Sequence, residues 1–403
     1  MNKLKYVIDN QLCLGCGLCE AICGSCKMEL DEITGYYKPS FSEITQEELL
    51  CISRSCPSIN VENEKHLSSK VWGDLLNLYE ASSVNKEIRK AASSGGVVTE
   101  VCSYLLETHI VDAILHVGLV EGSCLYNELK VSKTPCDVLK NAASRYAPAL
   151  TLNKIINILD NSDAIYAFVG KPCDIVGVKN LIKVYPKYKN RIVFFISIFC
   201  AGMPSYNGTL ELLKKSFNKS KPIKIVYRGD GWPGFFKVDY SSGEAFKVSY
   251  NESWGNVLNR YLPFRCKICP DGIGLFADIS VGDAWHTLDG YPDFSEREGQ
   301  SFVMIRTLLG QKIFNLMLES DRLVYRFLDM NEISKMQYYQ YQRRLLVGYR
   351  LIPVQILSGF LFNFKRLGIT NMFLKAKITT GIINLCGTMK RFINIVFINR
   401  IIK

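Results

Sequence analysis

Ala164-Ile-Tyr-Ala-Phe-Val169, Gly170-Lys-Pro-Cys173, Asp174-Ile-Val-Gly-Val-Lys-Asn-Leu-Ile-Lys-Val184 and Arg191-Ile-Val-Phe-Phe-Ile-Ser-Ile-Phe199, ending in Cys200, follow one another in a single stretch. The first and last segments are apolar runs of strand length, and the middle one repeats apolar residues at roughly helical spacing. Strand, helix, strand reads as one βαβ crossover, so the strands are parallel and their carboxyl ends share one sheet edge. Open α/β sheets place ligands at that edge. Cys173 and Cys200, one beyond each strand, are therefore expected to converge, and the fold class is α/β.

Two thiols do not close a metal centre, which needs about four ligands. Downstream, Arg265-Cys-Lys-Ile-Cys-Pro-Asp-Gly-Ile-Gly-Leu-Phe-Ala-Asp-Ile-Ser-Val-Gly-Asp-Ala-Trp285 opens with a Cys-x-x-Cys pair, Cys266 and Cys269. These complete a four-thiolate set, and four cysteines without a nearby histidine favour an iron–sulfur cluster or zinc. Asp271, Asp283 and His286 are candidates for proton transfer by their place beside this loop.

The chain has 403 residues, 15 cysteines and only 4 histidines. That length accommodates two or three domains. Met1-Asn-Lys-Leu-Lys-Tyr6 carries no long apolar leader, so a reducing, cytoplasmic setting is expected, with cysteines as metal ligands and not disulfides.

Cys13-Leu-Gly-Cys16-Gly-Leu-Cys19-Glu-Ala-Ile-Cys23 is the C-x2-C-x2-C-x3-C run of bacterial ferredoxins. The second half is degenerate, keeping only Cys51-Ile-Ser-Arg-Ser-Cys56-Pro57. In two-cluster ferredoxins the fourth cysteine of a run serves the other cluster. One 4Fe–4S centre on Cys13, Cys16, Cys19 and Cys56 is expected, with Cys23 as the alternative fourth ligand and Cys26 and Cys51 as bystanders. A structural zinc knuckle is the competing reading. The polar composition around residues 60–75 reads as a linker.

Ser93-Ser-Gly-Gly96 precedes a segment with apolar residues on one helical face, Val97 to Leu106. Backbone N–H groups at such a helix start suit phosphate or an N-cap with a close-packed glycine pair. His116, within the strand-like Val111–Val117, reads as a core histidine. Ser144-Arg-Tyr146 sets a cation beside an aromatic ring, which suits a flavin or an ordinary surface turn. Gly229-Asp-Gly-Trp-Pro-Gly234 matches G-x-G-x-x-G, but a strand and not a helix follows, so it reads as a hairpin turn.

Ser94-Gly-Gly-Val-Val-Thr99, Ser144-Arg-Tyr146, Gly170-Lys-Pro-Cys-Asp174, Phe199-Cys-Ala-Gly-Met-Pro204, Gly231-Trp232 and Cys266-x-x-Cys-Pro-Asp…Gly-Asp-Ala-Trp285 together resemble the family of coenzyme F420 hydrogenase/dehydrogenase β subunits over about residues 10–310. The resemblance implies a flavin (FAD) domain with a 4Fe–4S cluster on Cys173, Cys200, Cys266 and Cys269. It further implies flavin contacts from Ser94, Gly95, Gly96, Thr99, Ser144, Arg145 and Tyr146. Arg145 stands where lysine is common in the family, and Lys171 where a small residue is usual.

From Tyr341 to Lys403 the chain has eleven basic residues and no acidic one, so the whole net charge of +11 lies there. Its apolar runs are shorter than the roughly 20 residues that span a bilayer. Two readings stand: helices lying on an anionic membrane surface, or a basic helical cap on the core or a partner. Nucleic acid is disfavoured because the cations alternate with bulky aliphatics.

The expected organisation is a ferredoxin-like module (residues 1–66), a flavin and iron–sulfur domain (67–335) and a basic amphipathic helical tail (336–403). The expected function is electron passage between reduced ferredoxin, or an F420H2-like donor, two 4Fe–4S clusters and FAD, to a small-molecule acceptor. The tail would hold the chain on the inner face of the membrane, and by analogy surface-polysaccharide synthesis is a client pathway. The alternative is a non-catalytic electron-transfer or scaffold protein docked on another enzyme.

Overall fold

A central sheet of nine strands runs in the spatial order Leu323–Phe327, Asn77–Ser83, Ser301–Ile305, Ile279–Asp283, Ile192–Ile198, Tyr166–Gly170, Ala113–Leu119, Asn127–Ser132, Ala149–Leu150. The computed structural model describes residues 3–64 and 70–402, with side chains as far as residue 396. The module boundary expected at residues 66 and 67 lies outside the described residues. The middle four strands are mutually parallel, and antiparallel strands flank them.

The βαβ crossover is present: Tyr166–Gly170 and Ile192–Ile198 pair in parallel, joined by the helix Pro172–Val184. Ile175, Val178 and Leu181 on one face of that helix are wholly buried against Ala113, Leu115 and Phe168. Each such side chain contributes about 1.5–3 kcal/mol of burial. On the opposite face the helices Val97–Glu107 and Leu308–Glu319 pack over Ile114, Ala167, Phe194 and Val303. The sheet is thus covered on both sides, which is why its central strands are apolar throughout.

A three-stranded antiparallel sheet, Pro222–Gly229, Phe235–Tyr240 and Ala245–Ser249, stands beside it. The glycine-rich Gly229–Gly234 segment is the turn of its first hairpin, as the sequence pattern indicates.

At the amino end, Leu18–Ile22 is followed by the hairpin Cys26–Asp31/Tyr36–Phe41, the helix Gln46–Ser55 and the short strand Asn60–Glu62. Thr45 and Glu48 form a capping box that starts the second helix. Asn60–Glu62 then pairs in parallel with Asn363–Lys365, from the far end of the chain.

That pairing corrects one expectation. The described parts of the 60–75 segment are not a free linker: Val61, Val71 and Trp72 are all buried. The C-terminal segment packs on the core, as in the helical-cap reading of the two that the sequence left open. Its helix Tyr338–Ser358 buries Val347, Leu351 and Val354 against Val7, Leu12, Ile59, Phe264 and Ile268. It clasps the amino-terminal module to the rest of the protein because its apolar stripe has partners from three distant segments.

Candidate functional site

Burial gathers eight of the cysteines into two sets. Cys13, Cys16, Cys19 and Cys56 line one small enclosed cavity with Leu4, Val7, Leu18 and Ile52. Cys23 is buried elsewhere: its Sγ lies 3.1 Å from Ser25 Oγ, and it packs with Cys26, Leu4 and Ile52. Cys51 faces Tyr185. Cys56 reaches the first three thiols because it caps the helix Gln46–Ser55, and backbone N–H groups of Ser58 and Ile59 point at its sulfur.

The second set is assembled at the sheet edge. Cys173 sits in the first turn of the crossover helix, and Cys200 lies two residues past its strand. Cys200 N–H donates to the Gly272 carbonyl at 2.9 Å, and Phe199 N–H to Val281 at 2.8 Å. These two bonds hold the Cys266–Cys269 loop across the strand end. Cys200 and Cys269 both act on Cys173, Cys266 and Cys269 both act on Cys200, and Cys269 acts on Cys266, so the four thiols lie close together.

Burial raises the thiols of both sets: Cys13 and Cys200 are pushed to about 12, and Cys16, Cys19, Cys56, Cys173 and Cys266 also lie above the usual value. Sulfurs in such surroundings ionise only when a cationic centre binds them. Among the described residues no three His, Cys, Asp or Glu side chains are drawn together as one metal ion needs them. Four thiols around one small cavity, as Cys13, Cys16, Cys19 and Cys56 stand, fit a cluster that carries one sulfur ligand on each iron. N–H groups of Gly202 and Met203, aimed at Cys200 and Cys266, are the sulfur hydrogen bonds that such clusters use.

The two sets are neighbours. The Asp174 carboxylate acts on both Cys16 and Cys173, and the Arg265 guanidinium on both Cys56 and Cys266. Arg265 is wholly buried and donates to the Pro57 carbonyl at 3.1 Å.

Beside the second set opens a cavity of about 790 Å³. Cys200, Gly170 and Lys171 form one wall, and the start of the helix Val97–Glu107 forms another. Ser94, Gly96, Thr99, Ser144, Arg145 and Tyr146 line it. Gly95 does not line it. A Cβ there would lie 2.6 Å from the Ala81 carbonyl, so this glycine serves close packing. Gly96, at φ +78°, turns the chain into the helix so that its N–H groups face the cavity. The Arg145 Nε is buried without a hydrogen-bond partner, and burial holds its guanidinium below the usual value. A cation so placed, beside a helix start and a small-residue loop, fits the pyrophosphate and ring of a flavin.

The three proton-transfer candidates fall apart in space. Asp283 lines the cavity, but Arg228 donates to it twice at 2.9 Å and Trp232 Nε1 once at 2.8 Å. Asp271 is buried in the cluster loop, accepting from the N–H groups of Ile273 and Gly274 at 3.0 and 2.9 Å. His286 stands 6.1 Å from Trp232 ring to ring, outside the cavity lining.

Several residues gain a place at the site that the sequence did not assign them, His116 among them, which read as a core histidine. His116 lines the cavity and bonds Ser132 Oγ at 2.7 Å; burial and the Arg145 charge lower it to about 4, so it stays neutral. Lys171 Nζ donates to Asp174 at 2.6 Å; burial opposes its charge, but Asp174 and the thiols of Cys173 and Cys200 hold the ammonium firmly protonated. Three arginines of the C-terminal helix hold the cluster loop. Arg343 donates to the carbonyl of Cys266 at 2.9 Å, Arg344 to Pro270 at 2.6 Å and Arg350 to Lys267 at 3.3 Å.

Comparison with known proteins places this arrangement. Residues 78–157 match the N-terminal part of the family described as coenzyme F420 hydrogenase/dehydrogenase, beta subunit, and residues 163–337 match its C-terminal part. Among curated proteins the chain is 29% identical over 273 residues to the beta subunit of the coenzyme F420 hydrogenase of Methanococcus voltae, covering 64% of this chain and 86% of that one. It is 24% identical over 325 residues to a subunit of the F(420)H(2) dehydrogenase of Methanosarcina mazei (78% and 84%). Over 330 residues it is 27% identical to the coenzyme F420-dependent sulfite reductase of Methanocaldococcus jannaschii (78% and 47%). The fold is similar to a chain of the F420-reducing NiFe hydrogenase complex from Methanosarcina barkeri, with a TM-score of 0.56 at 20% identity, covering 75% of this chain and 99% of that one. The chain belongs to the family of coenzyme F420 hydrogenase/dehydrogenase β subunits.

Proposed function

We propose that this chain is an iron–sulfur flavoprotein that passes electrons between a redox partner and a small-molecule acceptor. Cys13, Cys16, Cys19 and Cys56 would hold one 4Fe–4S cluster, Cys173, Cys200, Cys266 and Cys269 a second, and the adjoining cavity FAD. One observation carries the reading: Cys200 belongs to the second thiol set and also lines the 790 Å³ cavity. A cluster and a ring bound in these places would be neighbours. The shared influence of Asp174 and Arg265 on both thiol sets supports a continuous route from the amino-terminal module inward.

A flavin supplies the exchange between single electrons and a hydride. The protein's part is to bind, orient and exclude water. The helix start at Gly96 and the Arg145 guanidinium would take the anionic end of the cofactor. Lys171 keeps a positive charge at the cavity wall, and the Arg228–Asp283 pair closes the hairpin over the opposite side. Reduced ferredoxin or an F420H2-like molecule is the donor in this reading.

Anaerobically purified protein should carry about eight iron atoms, four per cluster, with one FAD. Cys200→Ala or Cys269→Ala should remove about half the iron. Zinc in place of iron, or iron unchanged in these variants, would overturn the proposal. A second reading, a non-catalytic electron-transfer component of a larger enzyme, is favoured by two relatives whose names describe them as subunits, one of a hydrogenase and one of a dehydrogenase. The two readings separate on whether the purified chain alone oxidises reduced viologen with an added acceptor.

A further inference from the structure

The C-terminal helix Ile378–Ile402 has two unlike faces. Its inner face packs on Tyr338–Ser358: Phe392 is buried against Phe264, Gly381 lies against the Tyr349 ring, and Asn384 Oδ1 accepts from Arg350 at 2.9–3.0 Å. The outer face is aliphatic. Ile378, Ile382, Cys386, Met389 and Ile393 recur at four, four, three and four residues, all exposed, which is one helical stripe. Ile378, Ile382 and Ile383 are 69%, 52% and 71% exposed. A monomeric surface rarely leaves a row of large aliphatics in water.

Charge identifies what covers this face. Lys377, Lys390 and Arg391 are exposed along the same helix and just before it, and no acidic residue follows Glu332 anywhere in the chain. A second copy docked here would set cation against cation. An anionic bilayer surface offers both an apolar interior for the isoleucines and a negative headgroup layer for the cations. Among the described residues no helix is long and apolar enough to cross a membrane, so the fitting geometry is a helix lying in the interface.

We infer that the outer face of Ile378–Ile402 docks the folded protein on an anionic lipid surface. The attraction of each cation to such a surface fades beyond a Debye length of about 10 Å at 0.1 M salt, so high salt weakens it. This inference is independent of which cofactors the chain holds.

The test floats the full-length protein, purified with its bound groups, on vesicles of phosphatidylcholine alone and of phosphatidylcholine with phosphatidylglycerol. Binding is expected on the anionic vesicles at least tenfold above the neutral ones, with partial release at high salt. Ile382→Asp/Ile383→Asp should lower co-flotation at least tenfold, and Lys377→Glu/Lys390→Glu should abolish the preference for anionic lipid. Both pairs are exposed, so an unchanged melting temperature verifies the fold. No flotation on either vesicle would overturn the inference. So would sedimentation showing a dimer, or a complex with a partner protein, that Ile382→Asp/Ile383→Asp dissolves while vesicle binding is absent.

Discussion

Arg228 grips Asp283 through two parallel hydrogen bonds of 2.9 Å, one from each terminal nitrogen. The arginine is buried, and its Nε donates to the Pro233 carbonyl, so one guanidinium ties the hairpin to the end of the cluster loop. Asp283 is thereby committed to a structural pair. Asp283→Ala should cost about 3 kcal/mol in urea unfolding, the low end for breaking a buried pair, because this carboxylate is partly exposed. The apolar double variant Arg228→Met/Asp283→Leu should recover much of that loss. Loss of activity in Asp283→Ala at unchanged stability would instead mark it as a proton donor.

The amino-terminal thiols make a sharp distinction between Cys56 and Cys23. Cys56→Ser should lower bound iron by about half, since one of the four proposed cluster ligands is removed. Cys23→Ser should leave iron content unchanged, because its sulfur faces Ser25 and not the shared cavity. Equal loss in both variants, read by iron and sulfide analysis, would show that Cys56 is not the distinguishing ligand.

Lys171 places an ammonium beside Cys173 and Cys200, held by Asp174. Lys171→Met should lower the midpoint potential of the centre on those thiols by about 60 mV, a tenfold change for a one-electron couple. It removes a positive charge and leaves Asp174 unopposed. Lys171→Arg should keep the potential near its original value. Redox titration followed by electron paramagnetic resonance reads both.

His116 makes acid stability asymmetric. Its pKa is about 4 in the folded protein against 6.5 ordinarily, so between those values the unfolded chain binds the extra proton. Stability from this group is full above pH 6.5 and is lost as pH falls toward 4, amounting to about 3 kcal/mol. His116→Gln should flatten the melting temperature over that window. An identical pH profile in the variant would mean that another group governs it.

What was legible in the sequence was local or tied to a spacing rule. Two apolar runs of strand length bracketing a helical pattern announced the crossover, and with it the meeting of Cys173 and Cys200. Cys-x-x-Cys at Cys266 announced the other pair. Spacing alone could not choose between Cys56 and Cys23, because the choice depends on how the helix Gln46–Ser55 folds back. The antiparallel half of the sheet was hidden: Asn77–Ser83 is a polar-spotted run with no turn signal, stabilised by neighbours more than two hundred residues away. Arg343 and Arg344 were legible only as two of eleven cations in a basic segment. Only tertiary structure reveals that among the carbonyls they satisfy are those of Cys266 and Pro270.

That last feature bears on the order in which the protein is made. A ribosome releases the four thiols of the second set by residue 269, yet Arg344, which fastens the Pro270 carbonyl, and Asn363–Lys365, which zips to Asn60–Glu62, emerge far later. The Cys266–Cys269 loop therefore gains its last supports only near the end of synthesis. On the proposed assignment of these thiols, cofactor loading becomes a step for the finished chain, and a ribosome that stops early yields a product whose thiols are not yet held in place.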